Sequence, residues 1–455
     1  MVKRENIEAI YPLDGKRKAL AYLSMQGPET DPGFIQLRFT ITGPLNKSAF
    51  ERSWNLLLER HQSMRMSLQG PKGKDAMLVA LKKCQLKIEW RDWRELSEDA
   101  SNKLIDGYIE ENQLEGLNLS DAPVHRCVGI ETKDDEIVFL WSCHHLFLDG
   151  WSAIVLLKDL SQLYASLRVF SEPDAAERYH YGDYLSWLNN QPKNQGMEYW
   201  SRNLQDFSTT SLITESLNQE ALSNQRSEYI YFESESSSRL IEATALKYKT
   251  TSANLIYAIW SVYLSGITGK KDVLFGTTAA GRTFDLADNE IMTGYYSNVI
   301  PKRFVLAESS SMENYLSIEN SNSFSSLPFE YMALEEIRSC SGVPPEKKLF
   351  DHLVLFENLP QDNIVLNEPD GKVTIGNFSG GLTSAYPLTL TILPGKFWRY
   401  KFIYNIASRD EKLEAEFRKF PSLVLDICNN MEKTVSYFVN TVSYTHLTLP
   451  TILLV

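Results

Sequence analysis

The chain has 455 residues, 43% hydrophobic and 11% aromatic, which supplies apolar material for more than one core and excludes a disordered chain. A formal charge of −12 argues against nucleic acid or an anionic membrane as the main partner. Five cysteines stand singly without CxxC pairs, no apolar run follows Met1-Val2-Lys3-Arg4-Glu5, and no stretch is long enough to span a bilayer, so a soluble, cytoplasmic protein with reduced thiols is expected, with neither disulfide framework nor zinc site.

Ile35 to Ile41 alternates strictly, as a strand with one buried face does. Asn46 is placed to cap a helix carrying Phe50, Trp54, Leu57 and Leu58 on one stripe. Val124–Ile130 and Ile137–Cys143 read as strands, and Gly150 opens a helix with Ile154, Leu157, Leu160 and Tyr164 at helical spacing. Arg168 to Arg178 is polar and irregular around Pro173, the crossing between two lobes. Beyond it come a strand at Tyr229–Phe232, helices at Ser237–Tyr248 and Ser252–Ile267, and a strand at Asp272–Thr278. A helix at Phe329–Arg338 follows, then strands at Leu349–Phe356, Lys372–Ile375, Leu388–Leu393 and Arg399–Tyr404. Helices and strands mix in both halves, which makes the class α+β.

The stretch richest in chemistry is His144-His145-Leu146-Phe147-Leu148-Asp149-Gly150-Trp151-Ser152. Two of only seven histidines sit side by side at the end of a strand. Neighbouring strand residues point to opposite faces, so one imidazole faces a core and the other a cavity or interface. Asp149 precedes a helix, where a carboxylate caps, and Gly150 lets the chain turn sharply. Glu335-Glu336 and Asp134-Asp135 read as solvated faces, His125 as packing, and Tyr179, Tyr181, Tyr184 and Trp187 as core. No phosphate-cradling glycine loop and no metal-ligand spacing is present.

His144 to Gly150 resembles the HHxxxDG signature of nonribosomal peptide synthetase condensation domains at every defined position. Other segments resemble the same family in order: Arg60-His61-Gln62-Ser63-Met64-Arg65, Tyr181-Gly182-Asp183-Tyr184 with Trp187, Tyr199-Trp200, Asp272 to Arg282, Gly294 to Pro301, Leu327-Pro328-Phe329, Leu349-Phe350-Asp351 and Phe356-Glu357-Asn358. Gly150-Trp151-Ser152 separates the chain from epimerization domains, and the intact histidines separate it from heterocyclization domains. One departure stands out. After Tyr11-Pro12-Leu13 the family usually has Ser/Thr-x-x-Gln, a tunnel-lining stretch, whereas this chain reads Asp14-Gly15-Lys16-Arg17-Lys18.

The resemblance implies two lobes like chloramphenicol acetyltransferase, paired as a V-shaped pseudo-dimer with a central tunnel. Residues 1–170 would form the N-terminal lobe with the HHxxxDG motif, and residues 171–441 the C-terminal lobe. Residues 442–455 resemble a translated sequencing adapter and are set aside as a non-native tail. Donor and acceptor peptidyl carrier proteins would insert phosphopantetheine arms, and an acceptor amine would attack the donor thioester; the chain itself is expected to bind no cofactor and no metal. His145 would face the tunnel, as general base or as the group that positions the amine and stabilises the tetrahedral species, two roles the sequence leaves open. The Gly150 N–H is an expected oxyanion contact, His144 is structural, and Asp149 is expected to pair with Arg65. Trp151, Ser152 and Asn298 would line the tunnel. The family match begins within a few residues of Met1, so the domain is expected to open its polypeptide, with further synthetase domains beyond residue 441. It would take its donor in trans, or serve as a starter domain using a fatty-acyl thioester. The charged residues 14–18 keep a third reading open, an inactive module that docks carrier or tailoring proteins.

Overall fold

The computed structural model describes residues 4–27, 31–70, 76–169, 179–207, 212–213, 222–282, 285–286, 288–344, 346–357, 364–368, 371–382, 386–406 and 411–447. In chain order the first elements are β1 (Ile7–Pro12), α1 (Gly15–Ser24), β2 (Phe34–Thr42), α2 (Lys47–Arg60), β3 (Met66–Gln69), β4 (Met77–Leu81), β5 (Ile88–Asp92), α3 (Glu98–Glu115), β6 (Arg126–Lys133), β7 (Glu136–His144), α4 (Gly150–Arg168) and α5 (Tyr181–Asn189). There follow α6 (Lys193–Leu204), β8 (Leu222–Phe232), α7 (Glu235–Lys247), α8 (Ser252–Thr268), β9 (Asp272–Ala279), β10 (Asn298–Val305), α9 (Met312–Ser326) and a short α10 (Leu334–Arg338). The chain ends with β11 (His352–Phe356), β12 (Ile364–Glu368), β13 (Gly371–Leu382), β14 (Leu388–Leu393), β15 (Arg399–Ile406), α11 (Glu411–Asn429) and α12 (Val435–Leu447).

These elements gather into two compact units, one of residues 1–191, 284–297 and 360–383, the other of 192–283, 298–359 and 384–455. The class is α+β, with a large sheet in each unit. In the first unit a six-stranded sheet runs β12-β13-β2-β7-β6-β5, beside a three-stranded sheet β1-β4-β3. The alternation in β2 puts Phe39 and Ile41 on the face covered by α2 and α4. There Phe50, Trp54, Phe139, Trp141 and Tyr164 are fully buried. Phe50 meets Phe139 edge-on at 5.3 Å and Trp54 stacks on Phe139 at 5.9 Å, the offset contacts aromatic rings prefer. That core fixes the end of β7 from which the functional segment emerges.

The second unit has its own six-stranded sheet, β10-β9-β11-β14-β15-β8. Its central helix, α8, is buried from Leu255 to Ile267, as an all-round apolar helix must be. α11 and α12 pack around it, with Phe420 edge-on to Trp260 at 4.9 Å.

Several boundaries differ from expectation. The first unit runs to residue 191 rather than 170, because α5 plants Tyr181 and Tyr184 in the first core. Residues 170–178, most of the expected crossing, lie outside the described residues. The strand expected at 372–375 is part of β13 and pairs antiparallel with β2, so a segment from late in the chain completes the first sheet. The helix expected at 329–338 shrinks to α10, preceded by a 3-10 turn at Leu327–Phe329 around Pro328. The boundary expected after residue 441 falls inside α12, where Val442 is buried and Ser443 Oγ donates to the Gly266 carbonyl at 2.9 Å. Asn358 and residues 448–455 lie outside the described residues.

Candidate active site

The paired histidines sit where β7 leaves the sheet. Phe34 of β2 pairs with His144, the last strand residue, and the His145 N–H reaches one step further to the Gly33 carbonyl at 2.7 Å. His144 points inward and is fully buried. Its Nε2 donates to Asp31 Oδ2 at 3.0 Å, and its Nδ1 accepts from the Leu146 N–H at 3.0 Å. Asp31 also accepts from Ser24 Oγ at 2.6 Å and the Gly33 N–H at 2.8 Å. Burial pushes the Asp31 carboxyl up, but His144 and these donors more than offset it and hold its pKa below the usual range.

His145 points the other way and is partly exposed. Its Nδ1 lies 2.8 Å from the Leu148 carbonyl oxygen. A carbonyl only accepts, so Nδ1 carries the proton and Nε2 keeps a bare lone pair. The ring packs against Tyr295 at 5.5 Å between centroids. Burial lowers its pKa to about 4, so the imidazole is neutral at physiological pH.

Asp149 ends this loop in extended conformation and caps α4. Its Oδ1 accepts from the Ser152 N–H at 2.8 Å, and its Oδ2 accepts from the N–H groups of Tyr296 and Ser297 at 3.0 and 3.2 Å. Ser152 Oγ lies 2.7 Å from Asp149 Oδ1 and accepts from the Gly294 N–H at 2.9 Å. The carboxylate thus ties the helix start to the segment that holds Tyr295 against His145. His61 helps hold that segment, with Nδ1 3.1 Å from Thr293 Oγ1 and Nε2 2.8 Å from Asp159 of α4.

The charged stretch after β1 folds as α1, capped by Asp14. Lys16 and Arg17 point inward, at 8% and 1% exposure. Arg17 Nη1 contacts Asp14 Oδ2 and the Tyr181 hydroxyl, each at 2.5 Å, and its Nε donates to the Leu146 carbonyl at 3.1 Å. The guanidinium carbon lies 4.2 Å from the Tyr181 ring centroid and 5.3 Å from that of Tyr295. Lys16 Nζ donates to the Tyr184 hydroxyl at 2.9 Å and the Tyr296 carbonyl at 2.8 Å. Burial pushes the Asp14 carboxyl up, but Arg17 and Lys16 reverse that and hold its pKa low.

The structure therefore gathers His144, His145, Asp149, Gly150, Trp151 and Ser152 with residues 14–17 and 293–297. Other expectations change. Arg65, expected to pair with Asp149, binds Glu8 through its Nη2 at 2.8 Å. Its Nε reaches the Leu81 carbonyl at 2.8 Å, and its Nη1 the carbonyls of Leu58 and Glu59. Asp149, the N-cap, is extended at φ −103° and ψ 174°, and Gly150 is the exposed first residue of α4. A methyl at Gly150 would meet nothing within 4 Å, so the site there is open. Trp151 is 44% exposed and its Nε1 donates to the Glu290 carbonyl at 2.7 Å. Ser152 and Asn298, expected to line a tunnel, are buried braces. Asn298, in the second unit, donates its amide to the carbonyls of Glu330 and Met332 at 2.8 and 2.6 Å.

Asp31 and Tyr295 were not anticipated. Asp31 gives no signal beyond an Asp two residues before a glycine, and its histidine partner is 113 positions away in sequence. Among the described residues no group of three or more His, Cys, Asp or Glu is arranged to hold a metal ion, and no helix is long and apolar enough to cross a membrane.

The family model described as "Condensation domain" matches residues 7–446, so the chain belongs to the condensation-domain family. Surfactin synthase subunit 2 of Bacillus subtilis (strain 168) is 28% identical over 412 residues, covering 90% of this chain and 11% of that protein. Chondramide synthase cmdD of Chondromyces crocatus is 29% identical over 363 residues, covering 79% of this chain and 9% of that one. The chain spans about a tenth of the length of these curated relatives. A crystal structure of a double mutant of the starter condensation domain of rhizomide synthetase RzmA, in complex with C8-CoA and Leu-SNAC, superposes with a TM-score of 0.79 at 16% identity, covering 94% of this chain and 96% of that one. That likeness shows the fold. Condensation domains of nonribosomal peptide synthetases catalyse amide-bond formation, and this chain is an acyltransferase of that class.

Proposed function

We propose that the chain joins a donor acyl or peptidyl thioester to the amine of an acceptor aminoacyl thioester, both delivered on the phosphopantetheine arms of partner carrier proteins. The acceptor nitrogen attacks the donor carbonyl carbon, the carbon–sulfur bond breaks, and the lengthened chain remains on the acceptor arm while the donor thiol takes up the proton. His145 accepts a hydrogen bond from the attacking amine at Nε2 and aims the nitrogen lone pair at the carbonyl. The observation that supports this role is the pairing of Nδ1–H with Leu148, which leaves Nε2 as a bare acceptor. With its pKa held near 4, the imidazole suits orienting the amine better than storing its proton. The Gly150 N–H, at the start of α4 where no intrahelical acceptor exists, would face the oxyanion.

The test supplies residues 1–447 with donor-loaded and acceptor-loaded carrier proteins and reads the amide product by mass spectrometry. His145→Ala is expected to lower turnover by about 10²- to 10⁴-fold. His145→Gln, which accepts a hydrogen bond but takes no proton, is expected to retain more activity than His145→Ala. Full activity in His145→Ala would overturn the assignment. No product from several donors while carriers still bind would favour the inactive docking module.

A further inference from the structure

We propose that Arg17 is a positioning residue for His145, holding the imidazole in the tautomer and orientation that leave Nε2 as the acceptor; the functional consequence rests on the role proposed for His145. The loop after β7 must present one side chain while bending from a strand into α4, and Leu146, the residue after His145, is pinned at both polar atoms. Its N–H is taken by His144 Nδ1 at 3.0 Å, and its carbonyl by Arg17 Nε at 3.1 Å. The first pin comes from within the motif; the second comes from α1, 129 positions away in sequence.

Arg17 also reaches the imidazole through Tyr295. Its guanidinium lies 5.3 Å from the Tyr295 ring centroid, and Tyr295 lies 5.5 Å from His145. One planar group therefore braces the loop through a carbonyl and the ring through an aromatic neighbour. Arg17 is itself fixed: 1% exposed, paired with Asp14 and the Tyr181 hydroxyl, with Tyr181 beneath it at 4.2 Å. A planar fork with several donors can satisfy Asp14, Tyr181 and Leu146 together, which a lysine ammonium at one point cannot. The charged departure at residues 14–17 thus supports the histidine.

Two variants test this in the full chain. Arg17→Gln removes the charge and shortens the donor. Asp14→Asn/Arg17→Gln removes both members of the ion pair while keeping a capping residue on α1, so it covers the case where Arg17→Gln strands a buried carboxylate and fails to fold. The first readout is the ring-nitrogen spectrum of ¹⁵N-histidine-labelled protein, with His145 assigned by its loss in His145→Ala. The wild type is expected to show His145 protonated at Nδ1, and a folded variant a mixture of both tautomers. The second readout is turnover with loaded carriers, where kcat is expected to fall about 10- to 100-fold with KM within about twofold. A folded variant that keeps the wild-type tautomer, or that loses it without losing kcat, overturns the proposal. If the wild type itself makes no product, the tautomer readout still decides whether Arg17 positions His145, and the failure then belongs to the proposed reaction.

Discussion

Two adjacent histidines with the same chemistry are given opposite tasks by the pleat of one strand. His144 enters a core and has both nitrogens occupied, by Asp31 and by a backbone N–H. His145 keeps one nitrogen bare. The pKa of His145, lowered to about 4 by burial, has a consequence for stability. His125 behaves alike, lowered to about 4 by burial while its Nδ1 accepts from Trp141 Nε1 at 3.3 Å. An unfolded histidine titrates near pH 6.5, so between about 6.5 and 4 the unfolded chain binds protons that the folded chain refuses. Stability is therefore whole above that window and is lost as pH falls through it, with an upper limit of roughly 1.4 kcal/mol per pH unit for each histidine. Urea unfolding between pH 7 and pH 4 should show this slope, and it should shrink in His125→Asn. A proton-shift titration of His145 with a midpoint near 6.5 would contradict the neutral, acceptor-ready imidazole. Gly33 belongs to the same scale. A Cβ there would lie 2.3 Å from Cε1 and 2.5 Å from Nε2 of His144, so Gly33→Ala is expected to drive His144 off Asp31 and cost about 1–3 kcal/mol in a denaturant melt.

At the level of elements, α4 begins where it does because Asp149 caps it, and the same carboxylate holds the Tyr296 and Ser297 amides. Asp149→Ala removes a cap, worth about 1 kcal/mol, and strands buried N–H groups at about 1–3 kcal/mol each. Loss of roughly 3–5 kcal/mol is expected, with Asp149→Asn milder because its amide oxygen still caps. A melt in which Asp149→Ala matches wild type while turnover collapses would reverse that order of roles. Much of this was legible in sequence. The alternation of β2, the stripe of α2 and the paired histidines before an Asp-Gly step all follow from local periodicity and capping. α1 was not legible, because its buried residues are Lys16, Arg17, Ala21 and Ser24, and a periodicity of hydrophobic side chains cannot reveal a face buried largely through ion pairs and aromatic rings. Glu8 as a partner of Arg65 was not legible for a related reason. Glu8 lies on β1, and only the pairing of β1 with β4 brings it under the arginine.

For the whole molecule, the first unit closes only with chain from far downstream. β13 lies beside β2 and β12 beyond it, and Leu366, Val373 and Ile375 are completely buried in the first core. Local patterning marks such residues as a strand but carries no record of which sheet they join, which is why the strand at 372–375 was expected in the second lobe. The energetic consequence is testable. Each of these three side chains contributes about 1.5–3 kcal/mol on burial, and losing them together removes an amount comparable with the whole stability of a typical domain, about 5–15 kcal/mol. A fragment of residues 1–191 also loses the hydrogen-bonding partner of β2 and the Tyr296 and Ser297 amides that Asp149 binds. It is therefore expected to lack a cooperative urea transition and near-ultraviolet circular dichroism, while the full chain shows both. In hydrogen exchange on the full chain, amides of residues 374–380 should be protected together with those of 37–42, since the two strands share one ladder. A cooperative transition from the fragment alone would mean that the returning strands only cover a sheet already stable without them. The geometry that holds His145 would then be set by the first 191 residues, and Tyr295 and the 293–297 segment would be dispensable to it.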